Sequence, residues 1–208
     1  MKGHQPDAEE QAFLDSYDPH RFPKPAVTVD TVVLRLAGRG VQVLLIRRGH
    51  HPFRGCWALP GGFLDLDADE TTMHGAAREL FEETGVAADR LVEIGAFGRR
   101  GRDPRDRTVT VAYLALASGA ESPVASDDAA ACAWFDTTVG ADGRVLVGGD
   151  TAVRLAFDHD DVIARALEEL AWRAQLAAPF LELLDPHLSV SDAGAWLHAT
   201  ARFRAVTR

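Results

Sequence analysis

Apolar positions that alternate or cluster in short stretches predict several β-strands. Two stretches rich in β-branched residues, 27–35 and 41–46, flank Ala37-Gly38-Arg39-Gly40, a sequence typical of a turn, so they predict a hairpin. The stretch Leu59-Pro60-Gly61-Gly62 interrupts this pattern. Later stretches predict further strands at 91–97, 107–116 and 132–135.

Helical spacing replaces the strand pattern in three places. The first helix is predicted between Thr71, a suitable N-cap, and Gly85, a suitable C-cap. Its expected core-facing positions are Met73, Ala76, Ala77, Leu80 and Thr84. A second helix is predicted at about 161–174 and a last one at about 192–202. Strands, a helix, more strands and terminal helices indicate an α+β fold with a mixed sheet between helices.

The size of the chain suits one globular domain with small appendages. It has 208 residues, of which 47% are hydrophobic. We expect an N-terminal lead-in at 1–24, where several prolines favour an extended backbone. A main domain at 25–176 and a short helical C-terminal extension at 177–208 complete the predicted organisation.

Charge and cysteine content narrow the class of protein. The net charge of −9 disfavours non-specific binding to nucleic acid, and we expect no nucleic-acid partner. Cys56 and Cys132 lie outside any metal-ligand spacing, so we expect free thiols in a reducing compartment. No stretch resembles a signal peptide or a membrane span. These features predict a cytoplasmic protein without a membrane partner.

Three carboxylates share one side of the first predicted helix. Glu79, Glu82 and Glu83 are spaced i, i+3 and i+4, so their side chains are neighbours. One reading is a solvated acidic face. The other is a site for a hard divalent cation, which neutralises carboxylates that would otherwise repel one another.

The residues around these glutamates resemble the signature of the Nudix hydrolase family. That signature is a glycine, five residues, a glutamate, seven residues and then Arg-Glu-aliphatic-x-Glu-Glu-x-Gly-aliphatic. From Glu70 onward, through Arg78 to Val86, every position fits. One departure is visible, because seven residues instead of five separate Gly62 from Glu70. The resemblance implies a Nudix-type α/β/α sandwich.

The similarity extends over most of the chain and is strongest to one subgroup. It includes Val43 to Arg48, Pro52 to Phe63, Gly101 to Arg105, Val109 to Tyr113 and Asp158 to Asp161. That subgroup holds ADP-ribose pyrophosphatase-like enzymes and the NrtR-type regulators of NAD metabolism, which join a Nudix domain to a winged helix. The resemblance also implies a homodimer.

The resemblance implies cleavage of a nucleoside diphosphate with Mg²⁺ or Mn²⁺. The metal ligands would be Glu79, Glu82, Glu83 and the carbonyl of Gly61. The implied catalytic residues are Glu82, Glu79, Arg78 and Glu70. Arg78 would hold a glutamate in position by an ion pair, and Glu70 would support the metal ligands from the longer loop.

The general base stays open between a glutamate of the signature and a carboxylate on a later loop. Relatives often carry a glutamate just before the strand that ends in Trp-Phe, and here that place is Ala131. Asp127 or Asp128 could replace it, or both could be solvated loop residues. Four histidines (His50, His51, His74 and His159) show no metal-ligand spacing, and we read them as surface or loop residues.

Candidate substrate contacts come from arginines and one aromatic residue. Arg47 and Arg48 point to opposite faces of their strand, so one of the two could face phosphates. Arg102 and Arg105 belong to an arginine-rich loop that either contacts the substrate or is a solvated connection. Phe53 could stack on a base, while Trp57 is better explained by packing.

Two classes of function follow from the resemblance. The first is a metal-dependent pyrophosphohydrolase acting on ADP-ribose or a related NAD-derived compound. The second is a ligand-sensing regulator with a truncated DNA-binding region, since residues 181–201 resemble the start of a winged helix. The sequence given ends at Arg208, which leaves too few residues for a recognition helix and wing, and the complete signature favours the enzyme.

Overall fold

A computed structural model describes residues 4–38, 40–68, 71–117, 122–125, 129–140, 144–148, 152–175, 190–201 and 203. Within these ranges the helices are α1 (Ala8–Ser16), α2 (Thr72–Thr84), α3 (His159–Gln175) and α4 (Val190–Thr200). The longer strands are β1 (Ala26–Ala37), β2 (Gly40–Arg48), β5 (Val92–Phe97), β6 (Thr108–Leu116) and β7 (Ala129–Val139). Three short strands are β3 (Trp57–Ala58), β4 (Gly61–Phe63) and β8 (Val145–Val147).

The strands form one mixed sheet in the order β5-β6-β1-β2-β7-β8. β1 and β6 are parallel, and the other named pairs are antiparallel. β1 pairs with β2 only from Leu34 onward, while its earlier part, Thr28 to Asp30, pairs with β4. The first half of β1 and the second half of β2 therefore separate, and the segment containing β3 and β4 lies between them.

Helices cover both faces of this sheet, which explains its nearly continuous apolar strands. On β1, Val32 and Leu34 face the larger core beneath α3 and α4, while Val33 faces a smaller cluster that includes Leu80 of α2. This alternation is the period expected of a strand. The predicted α+β fold with a mixed sheet between helices is confirmed.

Two details differ from the sequence-based expectation. Met73, with 48% of its surface exposed, and Ala77 do not face the core, because α2 turns Gly75, Ala76 and Leu80 toward the sheet. The strand expected at 132–135 extends over the whole of β7. β3, β4 and β8 were not predicted, since two or three residues are too few to show a periodicity.

The C-terminal helix is part of the main core. α4 packs against α3, and its Trp196 and Ala199 are buried together with Phe203. The predicted boundary at 176/177 and the following residues to 189 lie outside the described ranges. No described helix is long and apolar enough to cross a membrane. Both cysteines are free thiols, as expected.

Candidate active site

The helix that carries the glutamates has the two caps that the sequence predicts. The Thr71 hydroxyl accepts a hydrogen bond from the His74 amide at 3.3 Å, which satisfies one free N–H of the first turn. At the other end Gly85 adopts φ 68°, and its amide donates to the Phe81 carbonyl at 2.8 Å. The caps fix where α2 begins and ends.

Arg78 holds two of the three glutamates. Its Nη1 donates to Glu79 Oε1 and to Glu82 Oε2, each at 2.9 Å. Its Nη2 donates to the carbonyl of Phe63 at 3.2 Å. One guanidinium therefore neutralises part of the acidic side and ties α2 to β4.

Glu83 has a different environment from the other two glutamates. It is buried, and its Oε2 accepts a hydrogen bond from the Gly61 amide at 2.9 Å. Burial raises the pKa of Glu83 to about 8, and the nearby carboxylates of Glu79 and Asp30 act in the same direction. The hydrogen bond from Gly61 opposes this rise without cancelling it.

Two adjacent glycines let β4 lie close to its neighbours. A β-carbon on Gly61 would overlap the carbonyl oxygen of Val29, and one on Gly62 would overlap the carboxylate of Glu79. Neither position has a positive φ in the structure, so both glycines are required for space. They explain why the sequence pattern breaks at Leu59-Pro60-Gly61-Gly62.

A cleft of about 450 Å³ opens beside these residues, where β1 and β2 separate. Its lining is mostly charged. The carboxylates that line it are Asp30, Asp65, Glu79, Glu83 and Asp103, and the arginines are Arg48, Arg78, Arg102 and Arg105. Phe63 and Phe157 add aromatic rings to the wall. The cleft can therefore contact both a cation and an anion.

A buried network of charges forms one side of the cleft. Arg102 binds the Asp158 carboxylate through Nε, at 3.1 Å to each oxygen, and through Nη2 at 2.8 Å. Its Nη2 also lies 3.5 Å from Asp30 Oδ2. Arg102 is almost fully buried, and both of its carboxylate partners lie on this side of the cleft.

His159 joins this network and is not a surface residue, contrary to the sequence-based interpretation. It is buried, and its Nδ1 accepts a hydrogen bond from the Leu59 amide at 2.9 Å. The proton of a neutral ring is then on Nε2, which lies 3.6 Å from Asp30 Oδ1. Burial lowers the pKa of His159, an effect that Asp30 opposes and Arg102 adds to.

The remaining predicted contacts divide into two groups. Arg48 and Arg105 line the cleft, whereas Arg47 and Phe53 do not. Arg47 is exposed and donates from Nε to the Gly55 carbonyl at 3.2 Å. Phe53 packs edge-on against Phe157, with ring centroids 4.8 Å apart, and so supports the cleft wall from behind.

Other residues singled out from the sequence are the supporting glutamate, the candidates for the general base and Trp57. Glu70, Asp127 and Asp128 lie outside the described residues. Ala131 is on β7, opposite Arg47 of β2. Trp57 packs against Phe135 with ring centroids 4.6 Å apart, in agreement with a packing role.

Sequence reasoning missed the cleft residues Asp30, Phe63 and Phe157, and it assigned no role to Asp158. One signal for Asp30 was available, since it is a carboxylate within an otherwise apolar strand, and buried carboxylates need partners. Its partners, Arg102 and His159, are far away in the sequence, so periodicity could not identify them.

The oxygen donors suit a hard divalent cation, although they are not assembled around one point. Within the described residues, no three acidic, histidine or cysteine side chains are grouped closely enough to hold a metal ion. Arg78 binds Glu79 and Glu82, while Glu83 turns toward the Gly61 amide. Glu79, Glu82 and Glu83 are nevertheless neighbours at i, i+3 and i+4 on α2, and carboxylate oxygens are the ligands that Mg²⁺ prefers.

Comparisons with known proteins agree with the signature. The NUDIX domain model matches residues 24–141. The ADPR responsive transcriptional repressor NtrR of Acinetobacter baylyi is 32% identical over 185 residues, which cover 89% of this chain and 70% of the relative. The ADP-ribose pyrophosphatase of Methanocaldococcus jannaschii is 33% identical over 139 residues, covering 67% of this chain and 71% of the relative.

A solved structure has a similar fold, and its sequence identity to this chain is close to that of the two relatives. It is the NUDIX domain of Shewanella oneidensis NrtR in complex with ADP ribose, with a TM-score of 0.64 and 32% identity. The match covers 77% of this chain and 98% of that chain.

Proposed function

We propose that this chain, which belongs to the NUDIX family, is a divalent-metal-dependent pyrophosphohydrolase. Its substrate would be ADP-ribose or a related NAD-derived nucleoside diphosphate. Hydrolysis adds one water across the P–O–P bridge, so the bridging oxygen leaves with one phosphate and two monophosphates are formed. The observation that carries the proposal is the arrangement of α2, whose glutamates meet the Gly61-Gly62 segment at the edge of a cleft that also contains arginines.

The carboxylates of α2 would hold the cation. Glu79, Glu82 and Glu83 are the proposed ligands, with the Gly61 carbonyl as a further oxygen and Mg²⁺ or Mn²⁺ as the ion. When bound, such a cation supplies charge neutralisation for the diphosphate and activation of water. Arg78 keeps Glu79 and Glu82 in position, and Glu70 retains its proposed supporting role.

The substrate assignment is supported by the relatives. One is named an ADP-ribose pyrophosphatase, another responds to ADPR, and a third structure holds ADP ribose. Arg48 and Arg105 are the proposed contacts to the diphosphate, because both line the cleft, and Arg102 shapes its wall. A homodimer and a cytoplasmic location stay predictions.

A ligand-sensing regulator is the second candidate, because the Acinetobacter relative that matches 89% of this chain is a transcriptional repressor. In that case the same cleft would bind the ligand without turnover. A gel-shift assay at physiological salt tests this function, and tight sequence-specific binding would favour it.

A substrate panel with Mg²⁺, followed by chromatography of the products, tests the enzymatic proposal. The panel contains ADP-ribose, NAD⁺, NADH and other nucleoside diphosphate derivatives. Replacing Glu82→Gln should lower turnover about 100-fold or more, because a charged ligand is lost. Glu93→Gln, on the exposed side of β5, is a matched control. Cleavage of none of these compounds, or a Glu82→Gln variant with full activity, would refute the proposal.

A further inference from the structure

Two guanidinium groups in the cleft lie over aromatic rings of its wall. The Arg48 guanidinium is 4.9 Å from the ring centroid of Phe157, and that of Arg105 is 5.2 Å from the ring centroid of Phe63. All four side chains line the same cleft. A planar cation over a ring is held in a defined orientation while its N–H edges stay available.

Each of these two arginines also donates hydrogen bonds to another residue of the chain. Arg48 Nε donates to the carbonyl of Pro52 at 2.8 Å. Arg105 donates from Nη2 to Asp103 Oδ2 at 2.7 Å and from Nε to the other oxygen at 3.1 Å. Asp103 is buried, whereas the Arg105 side chain keeps 45% of its surface exposed. The Arg105 guanidinium is therefore anchored from below and accessible from the solvent side.

Among the described residues, Arg48 and Arg105 together carry two positive charges but form an ion pair with one carboxylate, Asp103. Among the described residues Arg48 forms no ion pair with a carboxylate, and Arg105 is paired with Asp103 alone. Burial lowers the pKa of Arg48, and the charge of Arg105 acts next in the same direction, so the two cations are within electrostatic range; Glu83, Asp103 and Asp30 act in the opposite direction. Arg78 and Arg102, in contrast, each bind two carboxylates.

We propose that Arg48 and Arg105 form an anion-binding site that holds a phosphate group of the ligand without any metal ion. The ligand class is a diphosphate, either free or as an ester, because guanidinium groups bind phosphate oxygens through pairs of N–H donors. The inference rests on the proposed function for the identity of the anion. It separates two tasks in one cleft: the arginine pair binds the diphosphate, and the carboxylates of α2 serve its hydrolysis.

Isothermal titration calorimetry of the full chain with inorganic pyrophosphate in excess EDTA tests the site directly. We expect saturable binding by the wild type that weakens as salt is added. Arg48→Gln and Arg105→Gln should each weaken binding about tenfold or more, since each removes a charge-assisted donor pair. Arg90→Gln, an exposed arginine that does not line the cleft, removes the same charge and should leave binding unchanged.

Further controls test whether a glutamine variant binds weakly only because it has failed to fold. Near-ultraviolet circular dichroism checks each protein, and Arg48→Lys and Arg105→Lys keep the charge without the planar donors. Intermediate affinity in the lysine variants supports the pair. Adenosine, which has no phosphate, should show no binding that depends on Arg48 or Arg105.

The outcomes distinguish this inference from the proposed function. Absence of pyrophosphate binding in EDTA, or equal binding by folded glutamine variants, overturns the inference even if Mg²⁺-dependent hydrolysis is found. Binding in EDTA that requires both arginines supports it, even if no substrate is hydrolysed with Mg²⁺ and the proposed function fails.

Discussion

At two adjacent glycines, Gly61 and Gly62, the absence of a β-carbon allows neighbouring atoms to lie close to the backbone. Gly61 lies against the backbone of β1, where a β-carbon would overlap the Val29 carbonyl oxygen, which cannot move aside. Gly62 lies against the end of the Glu79 side chain, which can rotate. The first glycine is needed for the fold and the second for the position of a carboxylate.

Alanine at these positions should separate stability from activity. Gly61→Ala should cost about 2 kcal/mol of unfolding free energy or more, because the clash is with backbone. Gly62→Ala should cost less than about 1 kcal/mol, yet lower hydrolysis about tenfold or more by displacing Glu79. Urea unfolding and a rate assay measure both quantities.

Gly194→Ala is the control for these two variants, since a β-carbon there meets no atom within 4 Å. We expect it to stabilise α4 by up to about 1 kcal/mol. A Gly62→Ala variant that hydrolyses at the wild-type rate would show that Glu79 does not need its present position.

The contribution of His159 to the stability of the fold should fall in mild acid. Its pKa is lowered in the fold, so below about pH 6.5 the unfolded chain binds a proton that the folded chain does not. The stability that the neutral His159 ring contributes is therefore complete above that pH and is lost as the pH falls below it, whereas Glu83, whose pKa is raised to about 8, acts in the opposite direction over this range. The groups that face the ring are Asp30, Arg102, Asp158 and Arg48, and the two carboxylates, Asp30 more than Asp158, limit the effect.

Urea unfolding at pH 7.5 and 5.5 measures this contribution. In His159→Gln the amide oxygen can still accept from Leu59, so its free energy of unfolding should change more favourably from pH 7.5 to 5.5 than that of the wild type, because Glu83 contributes equally to both proteins. His20→Gln, in the exposed lead-in, should behave like the wild type. The prediction is wrong if the free energy of unfolding changes by the same amount in all three proteins between the two pH values.

At the scale of elements, α4 is held by the core even though its sequence begins like part of a separate domain. Trp196 is 2% exposed and packs into the main cluster, whereas its neighbour Leu197 is 37% exposed. The helix contacts α3, β2 and β1. Its removal would uncover part of the face of the sheet opposite α2.

Trp196→Ala should destabilise the whole molecule by about 3–5 kcal/mol, because a large buried side chain is lost. Leu197→Ala should cost about 1 kcal/mol or less. Chemical denaturation followed by far-ultraviolet circular dichroism compares them. If Trp196→Ala unfolds α4 alone while the sheet keeps its stability, then α4 is an independent appendage.

Sequence patterns correctly predicted the features that are determined by residues close together in the chain. The caps Thr71 and Gly85, the hairpin of β1 and β2, and the alternation along β1 all follow from nearby residues. The network of Asp30, Arg102 and Asp158 could not be predicted in this way, because its members come from three distant parts of the chain. Strand alternation likewise showed that Arg47 and Arg48 face opposite ways, but only the structure identifies Arg48 as the one lining the cleft.

At the scale of the whole molecule, an acidic chain brings four arginines and five carboxylates to the same cleft. The net charge is −9, yet four arginines line the cleft beside the α2 glutamates. An anionic ligand therefore meets guanidinium groups and metal-type ligands in the same cleft, and long-range repulsion by the rest of the surface is screened at physiological salt. The fold brings the two kinds of group together by separating β1 from β2.

Phosphorus NMR of ADP-ribose mixed with the wild-type protein and Mg²⁺ tests the central claim most directly. We expect the two diphosphate resonances to disappear, two monophosphate resonances to grow in equal amounts, and EDTA to stop the conversion. Diphosphate resonances that persist, in a sample where calorimetry shows that ADP-ribose is bound, would contradict it and would identify the cleft as a ligand sensor.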